Sequence, residues 1–210
     1  MERIFQTDES FLDYNPDFLP QTKSISLFET LKNDLNWIQS EIVMFGKKVL
    51  IPRKECFLAN SGESYSYSGN VMKSSPWPME IEKIHEGLNE VLGMKFNSCL
   101  ANFYSDGKDS NGWHSDNEKE LGSTPQIASI SLGGTRKFQF RRKQQGSEIH
   151  SIDLVTGSLL FMGGEFQRDF KHCIPKTAKL VEPRINLTFR QIINKKDHSF
   201  LDQAILTISY

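Results

Sequence analysis

The sequence predicts a mainly β fold with flanking helices (α+β), and three observations carry that prediction. From Lys95 onward, the short segments 95–104, 127–132, 136–142, 149–155, 158–162, 172–175 and 184–193 are separated by Gly, Asn, Asp or Pro. That spacing belongs to a β-sandwich or jelly-roll barrel. Ahead of them, two stretches carry apolar residues at helical spacing. Between those, Ser64-Tyr65-Ser66-Tyr67-Ser68-Gly69 alternates strictly, which puts both tyrosine rings on one face of a strand.

A chain of 210 residues with a formal net charge of −1 and a pI near 6.5 reads as one domain. It is not a strongly basic nucleic-acid binder, although a locally basic groove fits that balance. Cys56, Cys99 and Cys173 form an odd, widely spaced set without a CxxC pair, which suits free thiols in a reducing compartment. The first residues hold no apolar leader, and no apolar run approaches membrane-spanning length. The expectation is a soluble, intracellular monomer with no membrane partner, in the cytoplasm of a bacterium or the nucleus of a eukaryote.

Taken in order, residues 1–24 are polar, Pro-bearing and aperiodic, and are expected to form an arm or loop. Ser26-Leu27-Phe28-Glu29 has capping-box spacing, and Leu27, Phe28, Leu31, Leu35, Ile38 and Ile42 share one helical stripe. Met44-Phe45-Gly46-Lys47-Lys48-Val49 reads as a hairpin around Gly46. Pro76 and Pro78 open a second helix, whose stripe of Ile81, Ile84, His85, Leu88, Val91 and Leu92 stops at Gly93. His85 lies on that stripe as a core histidine. The tail 194–210 could be a strand, a short helix or a contact surface.

The chemistry begins with Gly112-Trp113-His114-Ser115-Asp116. Residues two apart on a strand share a face, so His114 and Asp116 can grip one metal ion together. A third ligand should come from a distant strand. His172 is preferred because it opens the strand returning after Gly163-Gly164, whereas the competitor His150 sits among charged loop residues. Two His and one carboxylate leave three positions open on an iron ion. In Arg184-Ile185-Asn186-Leu187-Thr188-Phe189-Arg190 the polar residues share one face and the apolar residues the other. That face could line a dicarboxylate pocket through its guanidinium forks, or be the wet side of an exposed antiparallel strand. Asn102 and Tyr104, also two apart, could add an amide and a phenol, or serve only core or edge packing.

Taken together, Asn102-x-Tyr104, Trp113-His114-Ser115-Asp116, Ser129-Ile130-Ser131-Leu132-Gly133, Arg136-Lys137-Phe138, His172 and Arg184-x-Asn186-Leu187-Thr188-Phe189-Arg190 resemble the AlkB family of Fe(II)/2-oxoglutarate-dependent nucleic-acid demethylases. The resemblance runs from about Phe45 to Ile193. It implies a double-stranded β-helix (jelly-roll) core over 95–193, an N-terminal arm, helices and nucleotide-recognition lid over 1–94, and a tail over 194–210, in one dioxygenase domain. It makes His114, Asp116 and His172 the ligands of Fe(II), and Asn102, Tyr104, Arg184, Thr188 and Arg190 the 2-oxoglutarate contacts, with Asn186 beside them. The implied reaction consumes O2 and 2-oxoglutarate. It removes methyl groups from 1-methyladenine and 3-methylcytosine as formaldehyde, with succinate and CO2 released. The implied partner is methylated DNA; the alternatives are the same chemistry on RNA or protein, or a nucleic-acid-binding jelly-roll module without turnover.

The resemblance also implies the substrate contacts. Phe45, beside Gly46 and Lys47, would replace a flipped base, and Tyr65 and Tyr67 would line the lid, with Tyr67 stacking the base against His114. Arg136 would meet phosphates, as would Arg53, Lys54, Lys137, Arg141, Arg142 and Lys143. One position departs from the duplex-repair pattern: Asn117 stands where those members carry a second acidic residue against the base. Asn can both donate and accept, but it lacks the charge that favours a cationic base.

Overall fold

The computed structural model describes residues 1–44, 46–60, 64–67 and 70–193, with the backbone alone for Met44, Ser64–Tyr67, Asn70, Val71 and Met72. Phe45 and the tail 194–210 lie outside the described residues. Along the chain come β1 (Glu2–Gln6), β2 (Ser10–Asn15), α1 (Gln21–Asp34), β3 (Glu41–Met44), β4 (Lys47–Leu50), β5 (Lys54–Ala59), β6 (Ser64–Tyr67), β7 (Asn70–Lys73) and α2 (Met79–Leu92). There follow β8 (Ser98–Tyr104), β9 (Asn111–His114), β10 (Ile127–Gly133), β11 (Arg136–Arg142), β12 (His150–Leu154), β13 (Leu159–Gly164), the single turn α3 (Phe166–Asp169), β14 (Phe170–Ile174) and β15 (Arg184–Arg190).

Two antiparallel sheets build the jelly roll. The larger runs β1-β2-β13-β10-β15-β8-β5 and the smaller β12-β11-β14-β9. Period-2 alternation sorts each strand of the larger sheet between two cores. Leu12, Tyr104, Leu160 and Met162 point inward against Phe138, Phe140, Phe170 and Ile174 of the smaller sheet. Leu58, Cys99, Ala101, Ile130, Ile185, Leu187 and Phe189 point outward under Leu27, Phe28 and Leu31 of α1 and Ile81, Ile84 and Leu88 of α2. The helices therefore cover the outer face of the larger sheet, and every residue of β15 is buried. An exposed strand is thereby excluded: the face carrying Arg184, Asn186, Thr188 and Arg190 looks into the barrel.

The core strands fall where the sequence places them, and the N-terminal half differs. Residues 1–24 are not a loose arm: β1 and β2 form a hairpin whose second strand pairs with β13, and Leu12 is fully buried beneath it. Helix α1 starts at Gln21 behind Pro20, earlier than the capping box at Ser26, and stops at Asp34. The indole of Trp37 ends it by donating to the carbonyls of Leu31 and Lys32, both at 3.2 Å. Ile38 instead exchanges backbone hydrogen bonds with Glu55, and Ile42 enters β3. Val91, expected on the buried stripe of α2, is exposed, and Gly93 caps that helix at φ 64°. Because β1, β2 and β5 belong to the larger sheet, residue 94 is not a boundary between lid and core.

Candidate active site

Strands β9 and β14 are neighbours, and their register sets His114 directly opposite His172. The two rings lie 4.2 Å apart between centroids. Asp116 follows β9 and is buried. One donor atom from each of His114, Asp116 and His172 falls within 4.8 Å of the other two. The His114 ring is held as one tautomer: Nδ1 donates to the Gly112 carbonyl at 2.8 Å, and the Asn111 amide donates to the lone pair on Nε2 at 3.3 Å. That nitrogen therefore presents a lone pair to the cavity. On His172 the buried Nδ1 has no hydrogen-bond partner among the described residues.

Electrostatics keep these groups in their ligating forms. Burial pushes both imidazoles down, His172 to about 3, so both are neutral at pH 7. Burial alone would raise the Asp116 carboxyl, but Arg190, at 3.1 Å from Oδ1, and the two imidazoles overcome it and hold the group at about 2. A charged carboxylate, two neutral imidazoles and a buried ring nitrogen without a partner match the donor set of a two-histidine, one-carboxylate iron site.

Behind the metal ligands, β8 and β15 pair with Asn102 opposite Asn186 and Tyr104 opposite Arg184. Asn102, Tyr104, Asn186, Thr188 and Arg190 line the same cavity as His114, Asp116 and His172. Arg184 lies under the Tyr104 ring, fully buried. Its Nη2 donates to Ser131 Oγ at 2.9 Å, while Nε and Nη1 have no hydrogen-bond partner among the described residues. Burial pushes this guanidinium down to about 10; it remains cationic at pH 7 with donors to spare, which suits one carboxylate of a small diacid. The amide of Asn186 is occupied by Ser129 Oγ at 2.8 Å and the Ile130 carbonyl at 3.1 Å, and Thr188 donates to its oxygen at 3.3 Å. Asn186 thus braces the wall.

The lid residues divide. Gly46 turns the β3–β4 hairpin at φ 76°, and Lys47 is exposed beside it. Tyr65 and Tyr67 lie on β6, which pairs with β7. Asn117 is exposed next to the buried Asp116. Arg136 is a correction: it is buried, and its guanidinium donates to the carbonyls of Asp106 at 3.1 Å and of Asp109 and Pro175 at 2.8 Å. A side chain that ties three loop carbonyls is not on a phosphate. Arg53 is likewise buried, with Nε on Asn102 Oδ1 at 2.7 Å. Lys137 pairs with Asp153, Arg141 and Arg142 lie over Trp113 and Phe170, and Lys143 donates to the Gln167 carbonyl.

His150 is placed between Phe5 and Phe140, away from the cluster, and His85 stacks on Trp77 with Nε2 against the Phe96 carbonyl. Sequence reasoning missed Gln167. Fully buried on α3, its Oε1 accepts the Asp116 N–H at 3.0 Å and its amide donates to Met162 Sδ at 3.4 Å. No periodicity marks it; only the turn geometry of α3 brings it to the metal loop.

A jelly roll that brings two imidazoles and a carboxylate together beside a buried, cationic guanidinium fits the class of non-haem iron, 2-oxo-acid oxygenases. The model of the 2OG-Fe(II) oxygenase superfamily matches residues 11–190. The DNA oxidative demethylase ALKBH2 of Arabidopsis thaliana is 37% identical over 210 residues, covering 88% of this chain and 67% of that protein. Human ALKBH2, bearing the same description, is 34% identical over 180 residues, with 81% and 69% covered. Bovine alpha-ketoglutarate-dependent dioxygenase alkB homolog 3 is 37% identical over 186 residues, with 84% and 64% covered. The solved structure of OsALKBH1 superposes with a TM-score of 0.57 at 19% identity, over 90% of this chain and all of that one, and shares the fold. The chain belongs to the 2OG-Fe(II) oxygenase superfamily and, within it, to the AlkB family.

Proposed function

We propose that the protein is an Fe(II)- and 2-oxoglutarate-dependent DNA dioxygenase that repairs 1-methyladenine and 3-methylcytosine by oxidative demethylation. One observation carries this reading: three metal donors line a single cavity inside the jelly roll together with Asn186, Thr188 and Arg190 of β15 and with Tyr104, under which Arg184 lies. The description of the two ALKBH2 relatives as DNA oxidative demethylases supports the substrate class. His114, Asp116 and His172 would hold the iron, which, when bound with 2-oxoglutarate and O2, supplies the oxidising power for hydroxylating an N-methyl group. Arg184 and Tyr104 take the distal carboxylate of the co-substrate, and Asn102 donates from the side. The inner cores of the two sheets keep bulk water out.

The hairpin that carries Gly46 and Lys47, with Phe45 between Met44 and Gly46 in the sequence, opens the duplex. Tyr65 and Tyr67 stack on the extruded base, and Asn117 reads its exocyclic amine. A base methylated on its pairing edge is already weakly paired, so its extrusion costs less. The chain acts as a monomer on nucleic acid in the reducing interior of the cell. Its three cysteines are free and buried, and no helix among the described residues is long and apolar enough to cross a membrane.

The test is release of formaldehyde from oligonucleotides carrying either lesion, with Fe(II), ascorbate and 2-oxoglutarate, on single-stranded DNA, duplex DNA and RNA. Turnover dependent on 2-oxoglutarate and abolished in His172→Ala is expected. Unchanged oligonucleotides on every substrate would overturn the reading.

A further inference from the structure

We propose that Arg53 is a positioning residue that fixes the side-chain amide of Asn102 for the co-substrate. The inference rests on the cavity behind the metal ligands being the 2-oxoglutarate subsite. Arg53 sits in the loop between β4 and β5, yet it is only 4% exposed. A buried guanidinium is retained only where partners answer it. Its Nε donates to Asn102 Oδ1 at 2.7 Å. Arginine has donors and no acceptor, so the amide must turn its oxygen toward Arg53 and its nitrogen away. Asn102 Nδ2 makes no hydrogen bond with any described residue, and Asn102 lines the cavity. The result is an unspent donor facing an anion's place. With Arg53 removed, the amide can rotate by half a turn and present its oxygen lone pairs to the same anion.

The surroundings hold Arg53 in that pose. Glu55, 3% exposed and paired in register with Asn102, brings Oε2 to 3.9 Å from Arg53 Nη2 and balances its charge. Ser40, just ahead of β3, donates to Glu55 Oε1 at 2.5 Å. The backbone is pinned on both sides: the Gln39 amide donates to the Ile51 carbonyl at 2.9 Å, and Ser110 N–H to the Pro52 carbonyl at 2.8 Å. Ser40, Glu55, Arg53 and Asn102 thus form one polar path from the base of the hairpin to the cavity wall.

The experiment is a double-mutant cycle read by calorimetric binding of 2-oxoglutarate to the full chain loaded with redox-inert Mn(II), so that no turnover is involved. Arg53→Met and Asn102→Ala are each expected to weaken binding by about tenfold, the scale of losing one charge-assisted hydrogen bond. The double variant should bind no more weakly than Asn102→Ala alone, because Arg53 acts through that amide. Losses that multiply in the double variant, or an unchanged Arg53→Met, would overturn the proposal. Unchanged affinity in Asn102→Ala would instead overturn the assignment of the subsite itself. Should Arg53→Met fail to fold, the cycle built on Arg53→Lys, which keeps the charge but not the planar fork, carries the same criterion of non-additivity.

Discussion

Two buried side chains carry tests of their own, and the first shows how far a residue's type misleads about its task. Arg136 has a charge that places it on the surface by expectation, yet its fork closes on the carbonyls of Asp106, Asp109 and Pro175. Arg136→Ala leaves three partly buried loop carbonyls short of a donor and removes a buried side chain, so a loss of roughly 2 kcal/mol in chemical denaturation is expected. Lys47→Ala, at an exposed position, should leave stability within about 0.5 kcal/mol and weaken DNA binding in a salt-dependent way. An Arg136→Ala variant of unchanged stability would return that residue to the DNA surface. His172 makes the second case. Its folded-state pKa is held at about 3, against about 6.5 when unfolded. Between those values the unfolded chain binds the extra proton, so stability rises with pH across that window. In metal-free protein, acidification from about pH 6.5 toward 3 should therefore cost up to about 1.4 kcal/mol per pH unit. Thermal melts against pH should show this slope, reduced in His172→Gln; an equal slope in that variant would assign the titration elsewhere.

At the scale of elements, the N-terminal hairpin is the piece whose docking is most directly testable. Gly164 ends β13 opposite Ser10 at φ 63°, and a Cβ there would lie 2.0 Å from the Glu9 carbonyl oxygen. Gly164→Ala combines left-handed strain with a backbone collision, so a loss of about 2 kcal/mol or more is expected in thermal unfolding. An unchanged melting temperature would mean that the hairpin does not dock as described. The same hairpin marks where the sequence stops being legible. Strands β8 and β10 to β15 were readable because turn residues bracket them and their apolar residues either alternate or run on as a buried stretch. β1 and β2 are joined by a turn without glycine, and they are stabilised mainly by contact with β13, which a local window does not contain. Ile38 and Ile42 kept helical spacing by coincidence, and what ends α1 is the Trp37 indole, a tertiary-like cap. The metal ligands and the face of β15 were legible as residue types at fixed spacing. Whether that face was wet or buried was not, because a single strand's pattern is the same either way, and only the smaller sheet packed across it decides.

For the whole molecule, the division of labour between the sheets has a thermodynamic consequence. His114 and His172 stand on β9 and β14 of the smaller sheet, with Asp116 just beyond β9, whereas Asn102, Tyr104, Arg184 and Thr188 stand on β8 and β15 of the larger one. On the proposed reading, a metal ion alone would join groups of the smaller sheet, and 2-oxoglutarate alone would meet mainly the larger one. A diacid held by both the metal and Arg184 would join the two sheets across the inner core. Each ligand stabilises the native state in proportion to the logarithm of its concentration over its dissociation constant. If each tightens the other's site, the stabilisation by both exceeds the sum of the separate effects. Thermal melts with Mn(II), with 2-oxoglutarate and with both should therefore show a shift for the pair larger than the two single shifts added. Coupling of about tenfold in affinity would add about 1.4 kcal/mol beyond additivity. Arg184→Met should remove that excess while keeping the shift caused by Mn(II) alone, because its guanidinium touches none of the metal donors. Strictly additive shifts in the unsubstituted protein would show that the two sheets bind their ligands independently, and would separate the metal centre from the subsite drawn behind it.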